Sequence, residues 1–286
     1  MTVGEVFDAA RRRFATLHGE SARIDAVRLL EAALGRDAAW LLAHDRDPLA
    51  PDVLEAFEAT VRRREAGEPM AYIAGRAGFY GRTFAVSPAV LVPRPETEEL
   101  AELAINWLRT LGKPEPAVCD VGTGSGILAV TIACDIPESH CTAIDISPAA
   151  LEIARRNAAS LGVETRVALL HSDLLEAVPP QARYDCIVAN LPYVPSAEIA
   201  PAPNPTSFEP RLALDGGADG LDLYRRLFPA LAAHLNPRAA VFLEAAPQSS
   251  NPLARLATAA FPGAQIRVHH DYGRRPRLVE IAFAEI

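Results

Sequence analysis

From residue 115 onward, apolar and polar positions alternate in a repeating rhythm. Apolar runs at 117–121, 141–146, 166–170, 185–189, 239–243, 265–269 and 278–283 are separated by helically spaced segments at 126–134, 148–161 and 220–235. Strand, turn and helix in succession predict an α/β fold built on a doubly wound, mostly parallel seven-stranded sheet. The earlier chain has a different period. Val3, Phe7, Ala10 and Phe14 recur at helical spacing, as do Ile24, Val27, Leu30 and Leu34, which predicts a small helical domain over residues 1–75. A third helix opens at Pro51, with Asp52 and Glu55 at its start and Arg62, Arg63 and Arg64 at its end. That arrangement suits the helix dipole, so the arginine run reads as a solvated helix end. Residues 78–92, GFYGRTFAVSPAVLV, alternate as a hairpin would, placing a linker at 76–93. The stretch P-R-P-E-T-E-E-L then opens an amphipathic helix with Leu100, Leu103, Ala104, Trp107, Leu108 and Leu111 on one face. The second domain therefore covers 94–286.

Composition narrows the class. Half of the 286 residues are apolar and 22% are charged, enough for a sizeable core and too few charges for a disordered chain. A net charge of −8 and a pI near 5.4 disfavour stable nucleic-acid binding through phosphates. Lys113 is the only lysine. Cys119, Cys134, Cys141 and Cys186 form no C-x-x-C pair, so reduced thiols are expected and no metal site. The start, MTVGEVFDAARRRF, carries acids and no apolar signal core, and no apolar run approaches membrane-spanning length. A soluble, cytoplasmic protein without a membrane partner is expected.

The chemistry concentrates at strand ends. D-V-G-T-G-S-G, Asp120 to Gly126, follows the first apolar run and opens a helix. Gly122, Gly124 and Gly126 permit a tight turn close to a ligand at a helix N-terminus. The spacing differs from the pyrophosphate fingerprint G-x-G-x-x-G, and Asp120 would repel a phosphate while suiting a cationic group. The next strand ends at Asp145, which can accept both hydroxyls of a ribose. The third ends at Asp173, placed to receive an adenine amino group while Leu174 packs on the ring. These residues select a nucleoside without phosphates, and S-adenosyl-L-methionine fits that description.

The fourth strand ends N-L-P-Y, Asn190 to Tyr193. The Asn190 carboxamide oxygen and the Leu191 backbone carbonyl can each accept one N–H of a planar NH2 group. Pro192 fixes the turn without offering a competing donor, and Tyr193 supplies a flat face. This geometry serves a glutamine amide and the exocyclic amine of adenine equally. The proline-rich VPSAEIAPAPNPTSFEP follows, in the place of a substrate-facing loop.

The chain resembles the class I methyltransferases that modify the glutamine of peptide chain release factors on its side-chain nitrogen. The likeness runs through A-Y-I-A-G-R-A-G-F-Y-G, L-V-P-R-P-E-T-E, the glycine turn, N-L-P-Y, and the long stretch from Glu209 to Leu227, EPRLALDGGADGLDLYRRL. It implies a Rossmann-like class I methyltransferase domain behind a helical domain that engages the protein substrate. It also implies S-adenosyl-L-methionine held by Asp120, Gly122, Thr123, Gly124, Ser125, Gly126, Asp145, Asp173, Leu174 and Asn190. The target glutamine, in a Gly-Gly-Gln loop, would be held and activated by Asn190, Leu191, Pro192 and Tyr193. Two positions depart from the family pattern: Leu191 replaces the first proline of N-P-P-Y, and Ala245-Ala246 replaces the Ile-Gly of L-E-I-G, upstream of Gln248. The competing reading is an adenine-N6 methyltransferase acting on RNA or DNA, which the acidic charge disfavours.

Overall fold

The computed structural model describes residues 1–199 and 205–284. Two compact units are present, Met1–Arg76 with Ala202–Phe208 and Ala77–Pro201 with Glu209–Ile286. The first unit holds helices α1 (Val3–His18), α2 (Ala22–Leu34), α3 (Ala38–Ala43), α4 (Pro51–Glu65) and α5 (Met70–Ala74). A capping box starts α1: Thr2 Oγ1 accepts from the Glu5 N–H, and the Glu5 carboxylate accepts from the Thr2 N–H, satisfying two donors that a helix start leaves free. Val6, Ala10 and Phe14 bury against Ala26, Leu29, Leu30, Phe57 and Val61.

Two expectations need correction here. Ile24 is 53% exposed; α2 turns Ala22, Asp25, Ala26, Leu29 and Leu30 inward instead. Arg64 is not at a solvated helix end. Its guanidinium meets the buried Asp25 carboxylate at 2.9 Å and pins α4 to α2. Removing one partner of a buried pair strands the other charge, so Arg64→Ala should lower unfolding free energy by about 3 kcal/mol. Urea denaturation checks this, and a loss below about 0.5 kcal/mol, the range of a surface change, would return Arg64 to a solvated role.

The hairpin β1 (Arg76–Phe79) and β2 (Arg82–Ala85), whose first residue is the last of the first unit, leads into the second unit and is followed by α6 (Glu96–Leu111). Phe79 and Phe84 enter the core beneath α6, beside Leu100, Ala104 and Leu108. Then come β3 (Ala117–Val121), α7 (Ile127–Asp135), β4 (His140–Asp145), α8 (Pro148–Ser160), β5 (Val167–His171) and β6 (Tyr184–Ala189). The chain finishes with α9 (Asp222–Leu231), β7 (Leu235–Glu244), α10 (Pro247–Ala260), β8 (Gln265–His270) and β9 (Pro276–Ala282). The sheet order is β5-β4-β3-β6-β7-β9-β8. β5, β4, β3, β6 and β7 pair in parallel, while β9 pairs antiparallel to both β7 and β8, so six of the seven strands run the same way. All seven apolar runs become strands. They are legible because a sheet covered on both faces needs apolar side chains on both, and every residue of β6 is buried. Strand order reverses at β3, with β4 on one side and β6 on the other. Ligands bind open α/β sheets at such a point, beyond the strands' C-terminal ends. Among the described residues, no helix is long and apolar enough to cross a membrane.

Candidate active site

A cavity of about 220 Å³ opens at the C-terminal ends of β3 to β6, many times the ~10–15 Å³ that a single water needs. Gly122 to Ser125, Asp145, Asp173 and Leu174 line it, together with Asn190, Leu191 and Pro192. The structure thus brings together residues that sequence reasoning selected from four successive strand ends.

The glycine turn is held from two sides. The Gly122 and Thr123 N–H groups both donate to the Ile144 carbonyl, at 2.9 and 2.8 Å, and the Gly124 N–H donates to Asp145 Oδ2 at 2.8 Å. Gly122 has φ +74°, and a Cβ there would lie 2.8 Å from Leu191 Cδ2. Glycine suits the left-handed backbone here, and any side chain would also displace the Leu191 side chain from the glycine turn. Asp145 Oδ1 accepts from the Ser147 N–H at 2.8 Å. Burial raises the Asp145 pKa, opposed by the backbone donors of Ser147 and Gly124. Each carboxylate oxygen keeps a further lone pair for a ligand hydroxyl. At the next corner, Leu174 adopts φ +49°, a left-handed conformation uncommon for a branched residue, beside Asp173.

Three predicted ligand contacts lie elsewhere. Asp120 is fully buried and does not wall the cavity; its Oδ2 accepts from Thr123 Oγ1 at 2.6 Å and from the Ala129 N–H at 3.1 Å. It holds the turn to α7, and burial lifts its pKa to about 7. Gly126, at φ +81°, packs against Ala154. Tyr193 is also absent from the wall; its hydroxyl donates to Glu244 Oε1 at 3.2 Å, which anchors the ring.

The Asn190 carboxamide is oriented by a partner on α6. Its Nδ2 donates to Thr97 Oγ1 at 3.1 Å, and among the described residues its Oδ1 accepts nothing. The turn after it lies against Leu214–Gly220. The Val194 N–H donates to the Leu214 carbonyl, the Gly216 N–H to the Val194 carbonyl, and the Ser196 N–H to the Gly217 carbonyl. A Cβ on Gly220, at φ +78°, would fall 2.2 Å from the Tyr193 carbonyl oxygen. The glycine-rich D-G-G-A-D-G run therefore braces Asn190–Tyr193. Part of the proline-rich stretch, 200–204, lies outside the described residues.

Sequence reasoning did not single out Glu209, Asn157, Thr97 or Glu244 as site residues. Glu209 accepts from the Val92 N–H at 3.1 Å and from Arg94 Nη2 at 2.6 Å, fixing the segment before α6. Asn157 bonds both backbone groups of Ala85 and the Ser125 carbonyl, joining the hairpin to the glycine turn. A buried asparagine on a helix face was the available signal. Gln248 is exposed and outside the cavity wall. His171 is exposed too, its Nε2 2.9 Å from the Ile146 carbonyl.

The wall chemistry fits S-adenosyl-L-methionine. Both arginines in the wall are paired, Arg94 with Glu209 at 2.6 Å and Arg226 with Asp173 at 2.8 Å, so neither is a free cation for a phosphate. Two carboxylates in the wall, Asp145 and Asp173, offer acceptors that would suit hydroxyl and amino groups, and apolar Ile127, Ile146 and Leu174 offer surface for a ring.

Comparison with known proteins agrees. Residues 5–75 match the family profile described as the PrmC N-terminal domain, and residues 97–202 that of the ribosomal protein L11 methyltransferase (PrmA). A release factor glutamine methyltransferase of Bordetella pertussis is 45% identical over 222 residues, covering 78% of this chain and 81% of its own length. The Cereibacter sphaeroides protein of the same name is 41% identical over 280 residues, 98% of each chain. Among solved structures, a methyltransferase from Pyrococcus furiosus matches the fold with a TM-score of 0.51 at 17% identity, over 79% of this chain and 98% of that one. The sheet order and these matches give a Rossmann-like class I methyltransferase domain. With a relative this similar along nearly its whole length, the chain belongs to the release factor glutamine methyltransferase family.

Proposed function

We propose that the protein methylates the side-chain amide nitrogen of the glutamine in the Gly-Gly-Gln motif of peptide chain release factors. The observation that carries this is the Asn190 carboxamide at the cavity wall, whose NH2 is committed to Thr97 while its oxygen has no donor among the described residues. An acceptor so fixed suits a substrate that brings an N–H. Kinship with proteins of that name supplies the carrier.

Asn190 Oδ1 accepts one N–H of the planar amide, and the Leu191 carbonyl, which among the described residues accepts no hydrogen bond, takes the other. Only the backbone of Leu191 is needed, so leucine in the proline position preserves the contact. S-adenosyl-L-methionine, when bound, supplies a methyl group on a positively charged sulfur. The amide lone pair is delocalised, and full loss of conjugation would cost about 18–20 kcal/mol, as the rotation barrier shows. Two hydrogen bonds at roughly 1–3 kcal/mol each fall well short of that. Their contribution is aim and partial pyramidalisation, and alignment of reactants is worth about 7–11 kcal/mol more. No strong base is needed, because a nitrogen that has gained a methyl is acidic and releases its proton to water. Asp145 would hold ribose hydroxyls, with Asp173 and Leu174 at the adenine. The helical domain at 1–75 would engage the protein substrate, with 76–93 as linker. A release factor substrate places this work in the cytoplasm.

The test is incubation with S-adenosyl-L-methionine and an unmodified release factor, alongside structured RNA and duplex DNA, with the methyl located by mass spectrometry. A methyl on the Gly-Gly-Gln glutamine is expected. A methyl on adenine instead would overturn the substrate and leave the cavity reading in place.

A further inference from the structure

Part of the cavity wall comes from two segments far apart in the chain: Ala89, Val90, Leu91, Pro93 and Arg94 before α6, and Pro210, Leu212 and Ala213 after the proline-rich stretch. Glu209 ties the two together. Its Oε1 accepts from the Val92 N–H at 3.1 Å and its Oε2 from Arg94 Nη2 at 2.6 Å. The Glu209 side chain is 2% exposed, whereas that of Arg94 is 35% exposed and belongs to the wall. Arg94 also stands next to the carboxamide used above. Its carbonyl accepts from the Thr97 N–H at 3.1 Å, and Thr97 Oγ1 accepts from Asn190 Nδ2. One turn of chain therefore carries Arg94 and Thr97 into the wall beside Asn190.

A guanidinium has several N–H groups in a planar fork. One of Arg94's is committed to Glu209, and among the described residues the others make no hydrogen bond. With Glu209 the pair is neutral. An anion approaching Arg94 would meet the carboxylate as well, which weakens the attraction. A neutral carbonyl oxygen loses nothing by that compensation and gains a charge-assisted donor. The neighbouring wall is poor in donors. Pro93, Pro192 and Pro210 have no N–H, the Val92 N–H is spent on Glu209, and the Ala213 N–H on the Pro210 carbonyl. A chain that carries a glutamine into this cavity buries peptide carbonyls of its own, and a buried carbonyl without a donor is costly. Two glycines before the glutamine bring no side chains to hold those carbonyls off the wall.

We propose that Arg94 is a substrate-binding residue whose guanidinium, oriented and charge-compensated by Glu209, donates to a main-chain carbonyl of the Gly-Gly-Gln segment. This rests on the substrate reading given under Proposed function. Glu209 acts through Arg94 and is a positioning residue. The contact reads the backbone beside the glutamine, while the amide itself belongs to Asn190 and Leu191. It therefore strengthens binding without activating the nitrogen.

The experiment measures KM and kcat on an unmodified release factor, with cofactor affinity by calorimetry, for the parent, Arg94→Ala, Arg94→Lys and the double variant Arg94→Ala/Glu209→Gln. Arg94→Ala should raise KM about 30-fold, within the range of one hydrogen bond to a charged group. Its kcat should stay within about threefold, because the contact exists in ground and transition states alike. Cofactor affinity should be unchanged. Arg94→Lys keeps the charge without the fork, and its KM should remain about tenfold above the parent's. Arg94→Ala also strands the buried Glu209 charge and should lower the melting temperature; the double variant removes that charge, so it should regain stability and keep the raised KM. A double variant that regains the parent KM overturns the contact, since wall integrity then carried the effect. A fall in kcat with KM kept overturns it as well. So does a loss of cofactor affinity with KM kept, which would move Arg94 to the cofactor's carboxylate. Pairing Arg94→Ala with alanine at each polar residue flanking Gly-Gly-Gln tests the main chain as acceptor: the losses should multiply. A loss that vanishes with one such alanine assigns Arg94 to that side chain and overturns the main-chain contact. A parent inactive on the release factor overturns the substrate reading, whereas an active parent matched by Arg94→Ala overturns the role of Arg94 alone.

Discussion

Asn190→Ala should reduce methyl transfer by about 10³-fold while S-adenosyl-L-methionine affinity stays within about threefold, because positioning within a site commonly carries two to three orders of magnitude in rate. The expectation comes from how the side chain is tied. Nδ2 is anchored to Thr97 Oγ1 at 3.1 Å, so Oδ1 is the one atom of the carboxamide free to meet a substrate N–H. Alanine removes that acceptor and leaves the buried Thr97 hydroxyl without its donor, a stability cost of about 1 kcal/mol. The fold should survive, since Asn190 lies beyond the end of β6 and outside the core. Asn190→Asp sharpens the test. It keeps an acceptor toward the cavity, but it sets a second oxygen against the Thr97 lone pair near Glu244, and should fare no better. Single-turnover kinetics with calorimetry of cofactor binding separate the two effects. If Asn190→Ala stays within a few-fold of the parent, the amide is held by something other than this carboxamide.

Some of this site could be read from sequence because it is local. Each of β3, β4, β5 and β6 ends in its own signal, and parallel strands of equal polarity bring those ends to one edge. Asp145 and Asn190 are placed by that rule alone. Thr97 and Glu244 are not, since they lie far apart in the chain and meet only when α6 crosses the end of β7. No spacing rule connects them. Glu244 stood out only as part of a run whose expected glycine is alanine. The fold removes that difficulty: Ala246 adopts φ −62° and ψ 150°, extended backbone open to any residue, so no left-handed turn is required there. Asp120 shows a related limit. A carboxylate beside three glycines suggests a ligand, whereas one of its oxygens is held inside the turn by Thr123 and Ala129 and the other is buried without a hydrogen-bond partner among the described residues.

Helices were harder than strands. α10 gave no clear helical period because prolines stand at 247 and 252 and two of its inward positions are Ser249 and Ser250. The Ser250 hydroxyl bonds the Ala246 and Pro276 carbonyls, so a polar residue fills a core position. In α2, apolar Ile24 points outward, and Asp25 points in because Arg64 is there to meet it. Binary patterning fails where a charge has a specific partner, and that partner is a tertiary fact.

Asp145→Ala should weaken S-adenosyl-L-methionine binding by about 100-fold, near 2.7 kcal/mol, which two hydrogen bonds to a charged acceptor at roughly 1.5–3 kcal/mol each can supply. Part of the loss should come from the turn. Asp145 Oδ2 holds the Gly124 N–H and Oδ1 the Ser147 N–H, both at 2.8 Å, so alanine frees the glycine loop as it removes the ligand's acceptors. The two contributions separate by pH. Burial raises the Asp145 pKa, so the carboxylate is lost at a higher pH than an exposed aspartate would lose it. Parent affinity should therefore fall on acidification sooner than ordinary carboxylate titration predicts. In Asp145→Ala that dependence should vanish, leaving a weak affinity that no longer tracks the group. Calorimetry at several pH values measures both. An affinity for Asp145→Ala within about threefold of the parent would take Asp145 out of the ligand's contacts, because a single lost charged hydrogen bond already exceeds that. A large loss that keeps the parent's acid limb would instead assign the effect to the glycine turn and separate the limb from Asp145.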